Sequence, residues 1–396
     1  MQEKLQKIEQ VLSDRVEQVL PSKAELKKLM SKKKIRLYLG VDPTGNRLHL
    51  GHTIPLRKIQ EFADLGHEAI LVIGTGTVLA GDPSQRDSSR ELISERKIKD
   101  NIRTWKNQAG KIVNFSKVKI KYNGDWLLKL GLKDIVKIAS NISAVKLIQR
   151  DMFQRRISSG STVWMHEVLY PLLQGYDSVF LDVDLEVGGN DQVFNMLIGR
   201  ELQQKIKKRE KFVLTGPMIL GTDGKIMSKS SGNCVWLSDS PKNKFGKIMS
   251  IPDNLIISYF QLLTDTPALK IKEYKEKMDK GQVNPRDLKK NLAFEIVKMY
   301  DSPALAEKSK KEFEAVFEKK ELPSVIPTIK IEGKEIGILD LLVKIKLSSS
   351  KAEAKRLVLQ KGVKIEGKVF NDWREAVKIK KGLIVQVGKR KFAKLG

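Results

Sequence analysis

Residues 35–52 read Ile35-Arg36-Leu37-Tyr38-Leu39-Gly40-Val41-Asp42-Pro43-Thr44-Gly45-Asn46-Arg47-Leu48-His49-Leu50-Gly51-His52, and the fold follows from this stretch. Residues 35–42 read as a strand. A Pro/Gly/Asn loop follows, then a helix from about Leu50 to Leu65. Working outward, the same strand–loop–helix order returns. Residues 69–74, Ala-Ile-Leu-Val-Ile-Gly, form a continuous apolar run, as expected of a strand buried on both faces. A glycine-bearing loop through Gly81-Asp82-Pro83 leads into a long polar helix ending near Gly110. Further strands are expected at 117–122, 177–185 and 211–216, with a helix around 191–207. Alternating strands and helices predict an α/β fold with a parallel sheet and right-handed crossovers.

The rest of the chain hangs on that frame. Residues 1–30 read as one or two amphipathic helices, broken at Pro21-Ser22. Residues 123–176 are mostly helical and longer than one crossover needs, so they read as an insertion. From Pro241 to about Phe317 the pattern is helical. Residues 322–335, with two prolines, read as a linker. Residues 336–396 read as a compact α+β unit of two helices followed by short strands.

Composition narrows the class. The 396 residues, 41% of them hydrophobic, suffice for two or three domains with real cores. No apolar run is long enough to cross a membrane as a helix, and the N-terminus lacks the apolar core of a signal peptide. One cysteine, Cys234, excludes an internal disulfide framework. The four histidines, His49, His52, His67 and His166, lack the further ligands of a structural zinc, so no protein-bound metal or organic cofactor is expected. A cytoplasmic protein without membrane attachment is the expectation. The net charge of +27 predicts attraction to polyanions, nucleic acid before membrane. Residues 331–396 hold 17 Lys+Arg and 7 Asp+Glu, which concentrates the charge near the C-terminus. A lysine-rich solvated face is the bland alternative, and the C-terminal concentration favours nucleic acid over it.

Three segments carry chemistry. The first is Val41–His52. A helix start offers unpaired N–H groups and partial positive charge, which suit phosphate. His49 and His52 are three apart and share one side of the first turn. Gly51 between them leaves room for a flat ring or a ligand close to the backbone. The arrangement suits a nucleoside triphosphate. A bare pair of histidines could equally cap a helix. The second segment is Gly224–Asn233, Gly-Lys-Ile-Met-Ser-Lys-Ser-Ser-Gly-Asn. Here a lysine in a small-residue loop can meet charge on a departing pyrophosphate. In the third, Val163–Asp177, Tyr170, Gln174 and Asp177 stand at i, i+4 and i+7. They put a polar face on a helix whose neighbours Val168, Leu169, Leu172 and Leu173 are apolar. Buried polar groups need partners, and a polar ligand supplies them. The glycine-rich turn Gly188-Gly189-Asn190-Asp191-Gln192 can bring a nucleoside close to the backbone, with Asp191 accepting from ribose hydroxyls.

The first two segments resemble the signatures of class I aminoacyl-tRNA synthetases. His49–His52 matches the HIGH signature, and Ile226–Ser230 matches KMSKS with Ile226 in place of its first lysine; Lys229, the second, is intact. With the third segment, the chain resembles the bacterial tyrosyl-tRNA synthetases from about Tyr38 to the C-terminus. The resemblance implies a Rossmann-like catalytic domain over 1–220, with its helical insertion at 123–176 and a dimer interface near 123–160. The KMSKS-type loop and an α-helical anticodon-side domain follow over 221–321, and a small α+β S4-like RNA-binding domain over 336–396. It implies that Tyr38 and Asp177 meet the substrate phenol. Tyr170, Gln174 and Asp82 grip the ammonium, and Gln192 lies near the carboxylate. Thr44 and His49 are assigned to the γ-phosphate and His52 to the nucleotide. Arg86, Arg90 and Lys229 belong to loops that close on pyrophosphate. Gly40, Asp42, Gly51, Gly189, Asp191 and Met227 complete the ATP site. Lys351, Lys355, Arg356, Lys364 and Lys368 are the RNA contacts.

What the resemblance implies is a homodimeric ligase that joins L-tyrosine to tRNA(Tyr), with ATP as substrate and Mg²⁺ arriving on it. Three alternatives stand beside it. A synthetase-derived RNA binder without adenylate chemistry would have no use for Tyr38, Asp82, Gln174, Asp177 and Lys229. The related tryptophanyl enzyme needs one acceptor for an indole rather than a donor/acceptor pair. A nucleotidyltransferase would not need the C-terminal unit.

Overall fold

The computed structural model describes residues 2–84, 94–317, 326–388 and 391–396. The chain divides into two compact units, Met1–Glu307 and Lys308–Gly396, and the division falls inside the helix Pro303–Phe317.

The first unit is built on a six-stranded sheet: β1 (Gln18–Leu20), β2 (Arg36–Val41), β3 (Glu68–Ile73), β4 (Val118–Tyr122), β5 (Leu185–Gly189) and β6 (Phe212–Gly216), in the order β1-β6-β5-β2-β3-β4. The pairs β5–β6, β2–β5, β2–β3 and β3–β4 are parallel; only β1 runs against its neighbour. The chain leaves β2 toward β3 and β4, then returns to lay down β5 and β6 on the other side. The order therefore reverses between β2 and β5, and a crevice opens there beyond the carboxyl ends of the strands. The apolar run of β3 fits its place between β2 and β4, since Ala69 to Ile73 are all buried. The helix Leu50–Asp64 that follows β2 buries Ile54, Ile59 and Phe62.

Two elements differ from expectation. Residues 177–185 are not a strand. The helix Met165–Leu181 runs through Val179 and Leu181, both buried, and ends where Asp182 turns left-handed at φ 50°. Tertiary packing holds it helical. It lies against the helix Val193–Lys207 so closely that a Cβ on Gly175 would come within 3.1 Å of the Gly199 backbone. The fifth strand begins only at Leu185. The N-terminal stretch, expected to be helical, contains β1 between the helices Gln2–Val11 and Lys23–Lys32. The insertion is helical as expected, with Gly124–Leu127, Leu132–Ala139, Ala144–Ile148 and Asp151–Ser158 preceding the long helix. Its own core joins Ile138, Leu147, Phe153 and Leu172 to Ile198 and Leu202. The helices Pro241–Ile248, Ile256–Leu263, Ala268–Asp279 and Pro285–Tyr300 follow the sheet.

The second unit has a five-stranded sheet of order β10-β9-β12-β13-β7 and a β11–β8 pair. The strands are β7 (Thr328–Ile329), β8 (Glu335–Gly337), β9 (Val363–Ile365), β10 (Lys368–Val369), β11 (Ala376–Lys378), β12 (Ile384–Val387) and β13 (Lys391–Leu395). The helices Ile338–Lys344 and Lys351–Leu359 pack on it through Ile338, Leu341, Leu342, Ala354 and Val358. This corrects the linker reading. Within 322–335, β7 pairs with β13 and Ile331 joins the core, so the described part of that segment belongs to the unit.

Candidate active site

A cavity of about 390 Å³ occupies the crevice between β2 and β5, within the range of small-ligand pockets. Its walls come from segments far apart in sequence: the end of β2 and the loop to His52, Asp82, the helix Met165–Leu181, the end of β5, and the loop carrying Lys229.

The nucleotide side is built on the helix start. His49 is the residue capping the helix Leu50–Asp64, and its Nδ1 accepts from the Gly51 N–H at 3.2 Å. The His49 N–H donates to His52 Nδ1 at 3.1 Å, and the two rings lie 3.8 Å apart. Capping and ligand binding, alternatives in the sequence, are thus compatible in one pair. Burial pushes His49 down to about 2, helped by His52, and pushes His52 down to about 4. Both imidazoles are therefore neutral near pH 7. With each Nδ1 accepting, each proton sits on Nε2, which makes each ring a donor at that end. Both histidines line the cavity, as do Thr44, Gly40 and Gly51. A Cβ on Gly51 would lie 2.9 Å from His49 Nδ1, so the cap needs glycine there.

A scaffold the sequence reading missed holds the loop before this helix. From the helix Glu95–Ala109, Asn101 donates to the Pro43 carbonyl, Trp105 to Gly45, and Thr104 and Gln108 to Asn46, all at 2.7–2.9 Å. Their spacing marks one helix face, which was visible in the sequence but read only as polar.

The loop with Lys229 reaches across. Lys229 Nζ donates to the Thr44 carbonyl at 3.4 Å, so the lysine and the Pro-Thr-Gly turn are brought together. Asn233 ties the loop's base: its Nδ2 donates to Asp223 Oδ1 at 2.8 Å, and its Oδ1 accepts from the Ser228 N–H at 3.0 Å. Met227 is buried against the cavity wall, while Ile226, in place of the signature lysine, is 42% exposed.

The amino-acid side is deeper. Asp177 is buried on the cavity floor, where Oδ1 accepts from Trp126 Nε1 at 2.9 Å and Oδ2 from Asn123 Nδ2 at 3.0 Å. Burial pushes its carboxyl up to about 8, against the pull of those two bonds. Trp126 and Asn123 were not singled out in the sequence. Tyr170 donates from its hydroxyl to Asp42 Oδ2 at 3.0 Å, and Thr77 donates to Oδ1 at 2.7 Å. Asp42 is thus an internal hub, holding Tyr170 in place. Gln192 Nε2 donates to Asp82 at 2.9 Å and to Asp191 at 3.1 Å, which joins three expected residues in one cluster. Burial, then the nearby Asp82, raises the Asp191 carboxyl. Gly189 and Gln174 also line the cavity. Tyr38 is fully buried, with its hydroxyl 3.0 Å from Ser178 Oγ and 3.4 Å from the backbone carbonyl of the cavity-lining Gln174. Arg86 and Arg90 lie outside the described residues. No cluster of three or more His, Cys, Asp or Glu able to hold a metal exists among the described residues.

In the second unit, Lys351, Lys355 and Arg356 share one helix. Lys351 pairs with Asp340 at 2.6 Å, and Lys355 lies over the Trp373 ring at 3.9 Å. Lys364 and Lys368 do not converge. The register sets Lys364 opposite Val369 and Lys368 opposite Ile365, so the two lysines leave opposite faces of the ribbon.

A parallel sheet whose ligand crevice opens at the β2/β5 reversal, with a two-imidazole helix start facing a lysine loop, is the frame of a class I aminoacyl-tRNA synthetase. The family of class I tRNA synthetases (W and Y) matches residues 30–318, and the tyrosine–tRNA ligase SYY-like C-terminal domain matches residues 318–395. The chain is 42% identical to the tyrosine–tRNA ligase of Thermotoga maritima, over 97% of this chain and 96% of that one. It is 40% identical to that of Dehalococcoides mccartyi, over 98% of both. The chain belongs to the tyrosyl-tRNA synthetase family. Solved structures share the fold. The mitochondrial tyrosyl-tRNA synthetase of Aspergillus nidulans matches with a TM-score of 0.66 at 20% identity, over 80% of this chain and 99% of that one. The Archaeoglobus fulgidus enzyme complexed with L-tyrosine matches at 0.62 and 22%, over 78% of this chain and 99% of that one.

Proposed function

We propose that this protein is a tyrosine–tRNA ligase that works in two steps on one site. Tyrosine lies with its phenol toward Asp177 and its ammonium toward Tyr170, Gln174 and Asp82. One carboxylate oxygen attacks the α-phosphorus of ATP. The bond to the bridging oxygen breaks, and pyrophosphate leaves with the electron pair and with Mg²⁺, which enters on ATP. A ribose hydroxyl at the 3′ end of tRNA(Tyr) then attacks the tyrosyl carbonyl and releases AMP. No side chain need act as a nucleophile. The rate comes from alignment and from donors aimed at phosphate charge. His49 and His52 contribute neutral Nε2–H donors, and Thr44 and Lys229 face the departing pyrophosphate.

The observation that carries this reading is that one cavity is lined both by the buried Asp177 acceptor and by the His49–His52 imidazole pair. A buried carboxylate with a lone pair left over favours a phenol over a phenyl ring, which offers no donor for it. Tyrosyl-tRNA synthetases are themselves the standard illustration of such discrimination.

In this reading residues 1–220 activate tyrosine, 221–321 carry the mobile lysine loop and the anticodon-side helices, and 336–396 bind RNA phosphates through Lys351, Lys355 and Arg356, joined by whichever of Lys364 and Lys368 shares the RNA-facing side of the hairpin. A homodimer joined at the insertion is part of it. Support comes from exposed apolar side chains there, including Leu128 at 65%, Leu132 at 79%, Val145 at 61% and Met165 at 67%. Such a patch is what an interface covers. A cytoplasmic setting follows from the role in protein synthesis; no helix among the described residues is long and apolar enough to cross a membrane. The test is charging. With ATP, Mg²⁺ and unfractionated tRNA, the protein should attach tyrosine and none of the other nineteen amino acids. Attachment of tryptophan instead would overturn the assignment.

A further inference from the structure

On the amino-acid side of the cavity lies an ion pair that the steps above do not use: Glu186 lines the cavity and Lys211 lies behind it. Glu186, on β5, and Lys211, just before β6, are 2% and 0% exposed and are bonded to each other. Removing two charges from water costs several kcal/mol per ion, and apolar residues of similar volume often stabilise a core as well or better. Stability is therefore a weak reason for the pair.

The geometry supplies another. Glu186 Oε1 accepts from Gln174 Nε2 at 3.0 Å. Its Oε2 takes Lys211 Nζ and lies 3.4 Å from Ser178 Oγ, which itself accepts from Lys211 at 2.8 Å. An ionised carboxylate only accepts. Facing Glu186, Gln174 must turn its NH₂ toward it and its carbonyl away. That carbonyl oxygen, Gln174 Oε1, is buried and has no hydrogen-bond partner among the described residues. Gln174 lines the cavity, so a buried acceptor stands at the ligand's edge without a donor.

We propose that Glu186 is a positioning residue for the amino-acid subsite: by accepting from Gln174 Nε2, it fixes the amide so that Oε1 meets the substrate's α-ammonium, with Lys211 as its buried counter-charge. This rests on the assignment of Gln174 to the ammonium. A neutral glutamine at 186 could donate as well as accept, so the Gln174 amide would lose its fixed sense.

The test compares tyrosine with 3-(4-hydroxyphenyl)propionate, which keeps the phenol and carboxylate but lacks the amine. Binding of each to the full-length protein is measured by calorimetry. Glu186→Gln should weaken tyrosine about tenfold, the worth of one charge-assisted hydrogen bond, and leave the amine-free ligand within about twofold. Because that variant strands Lys211, the double variant Glu186→Gln/Lys211→Met is measured beside it and should behave the same way. Equal weakening of both ligands, or unchanged tyrosine affinity in the folded double variant, overturns the proposal. Gln174→Ala separates the two levels. If it weakens tyrosine selectively while the Glu186 variants do not, the positioning role fails alone. If it shows no selectivity, the ammonium assignment fails and the proposal falls with it.

Discussion

Trp126 Nε1 donates to Asp177 Oδ1 at 2.9 Å, in a floor where Asp177 is only 2% exposed. Asn123 serves the other oxygen, yet each oxygen keeps a lone pair for a further donor. Burial outweighs both bonds and lifts the carboxyl from 3.8 to about 8. The empty protein near pH 7 therefore carries a proton there that an unfolded chain has lost.

The sign of the linkage follows. Asp177 favours the folded state at low pH, and that contribution is lost as the pH rises from about 4 through about 8. A phenol donating into the ionised carboxylate must displace the proton. Tyrosine binding should therefore tighten as the pH rises from 6 to 8 and release protons near pH 7. Calorimetry in buffers of differing ionisation enthalpy reads this directly. Binding with no linked proton would mean that Asp177 is already ionised.

Asp177→Ala should weaken tyrosine by about 10- to 100-fold, the loss expected for a hydrogen bond to a charged group, while ATP affinity stays within about twofold. Equilibrium dialysis of each ligand separates the two. Equal loss of both would remove Asp177 from the phenol pocket.

The histidines predict a second pH signature of opposite sign. Their folded values, about 2 for His49 and about 4 for His52, lie below the ordinary 6.5. Their contribution to stability is complete above pH 6.5 and is lost as the pH falls toward 4. The melting temperature should drop over that window, and less steeply in His52→Gln. His52→Ala should slow adenylate formation by about 10- to 100-fold if its Nε2–H meets phosphate, a loss comparable to removing one transition-state donor. Single-turnover measurement of adenylate formation checks this. An unchanged rate would leave His52 a helix cap alone.

Much of the frame was legible because β3 is an unbroken apolar run and the helix after β2 has an apolar period. Val179-Phe180-Leu181 misled for the same reason. Three apolar residues before an aspartate look like a strand, but they end a 17-residue helix whose packing buries Val179 and Leu181. β1 is three residues long, too short for any period to register. In the site, the sequence reading named residues on signature segments but not the residues that hold those segments. Asn123 and Trp126 lie in the insertion, and Asn101 and Trp105 in a helix read as merely polar.

Ending the chain at Phe317 should spare adenylate formation and weaken tRNA charging. The cut precedes β7, whose pairing with β13 a cut at 335 would sever. Loss of adenylate formation in a folded truncation would overturn the division of labour.

The most direct test of the account is amino-acid-dependent exchange of pyrophosphate into ATP, run with each of the twenty amino acids. The account predicts exchange with tyrosine, none above background with phenylalanine or tryptophan, and tolerance of Ile226. Folded protein that binds tRNA yet exchanges with no amino acid would contradict it.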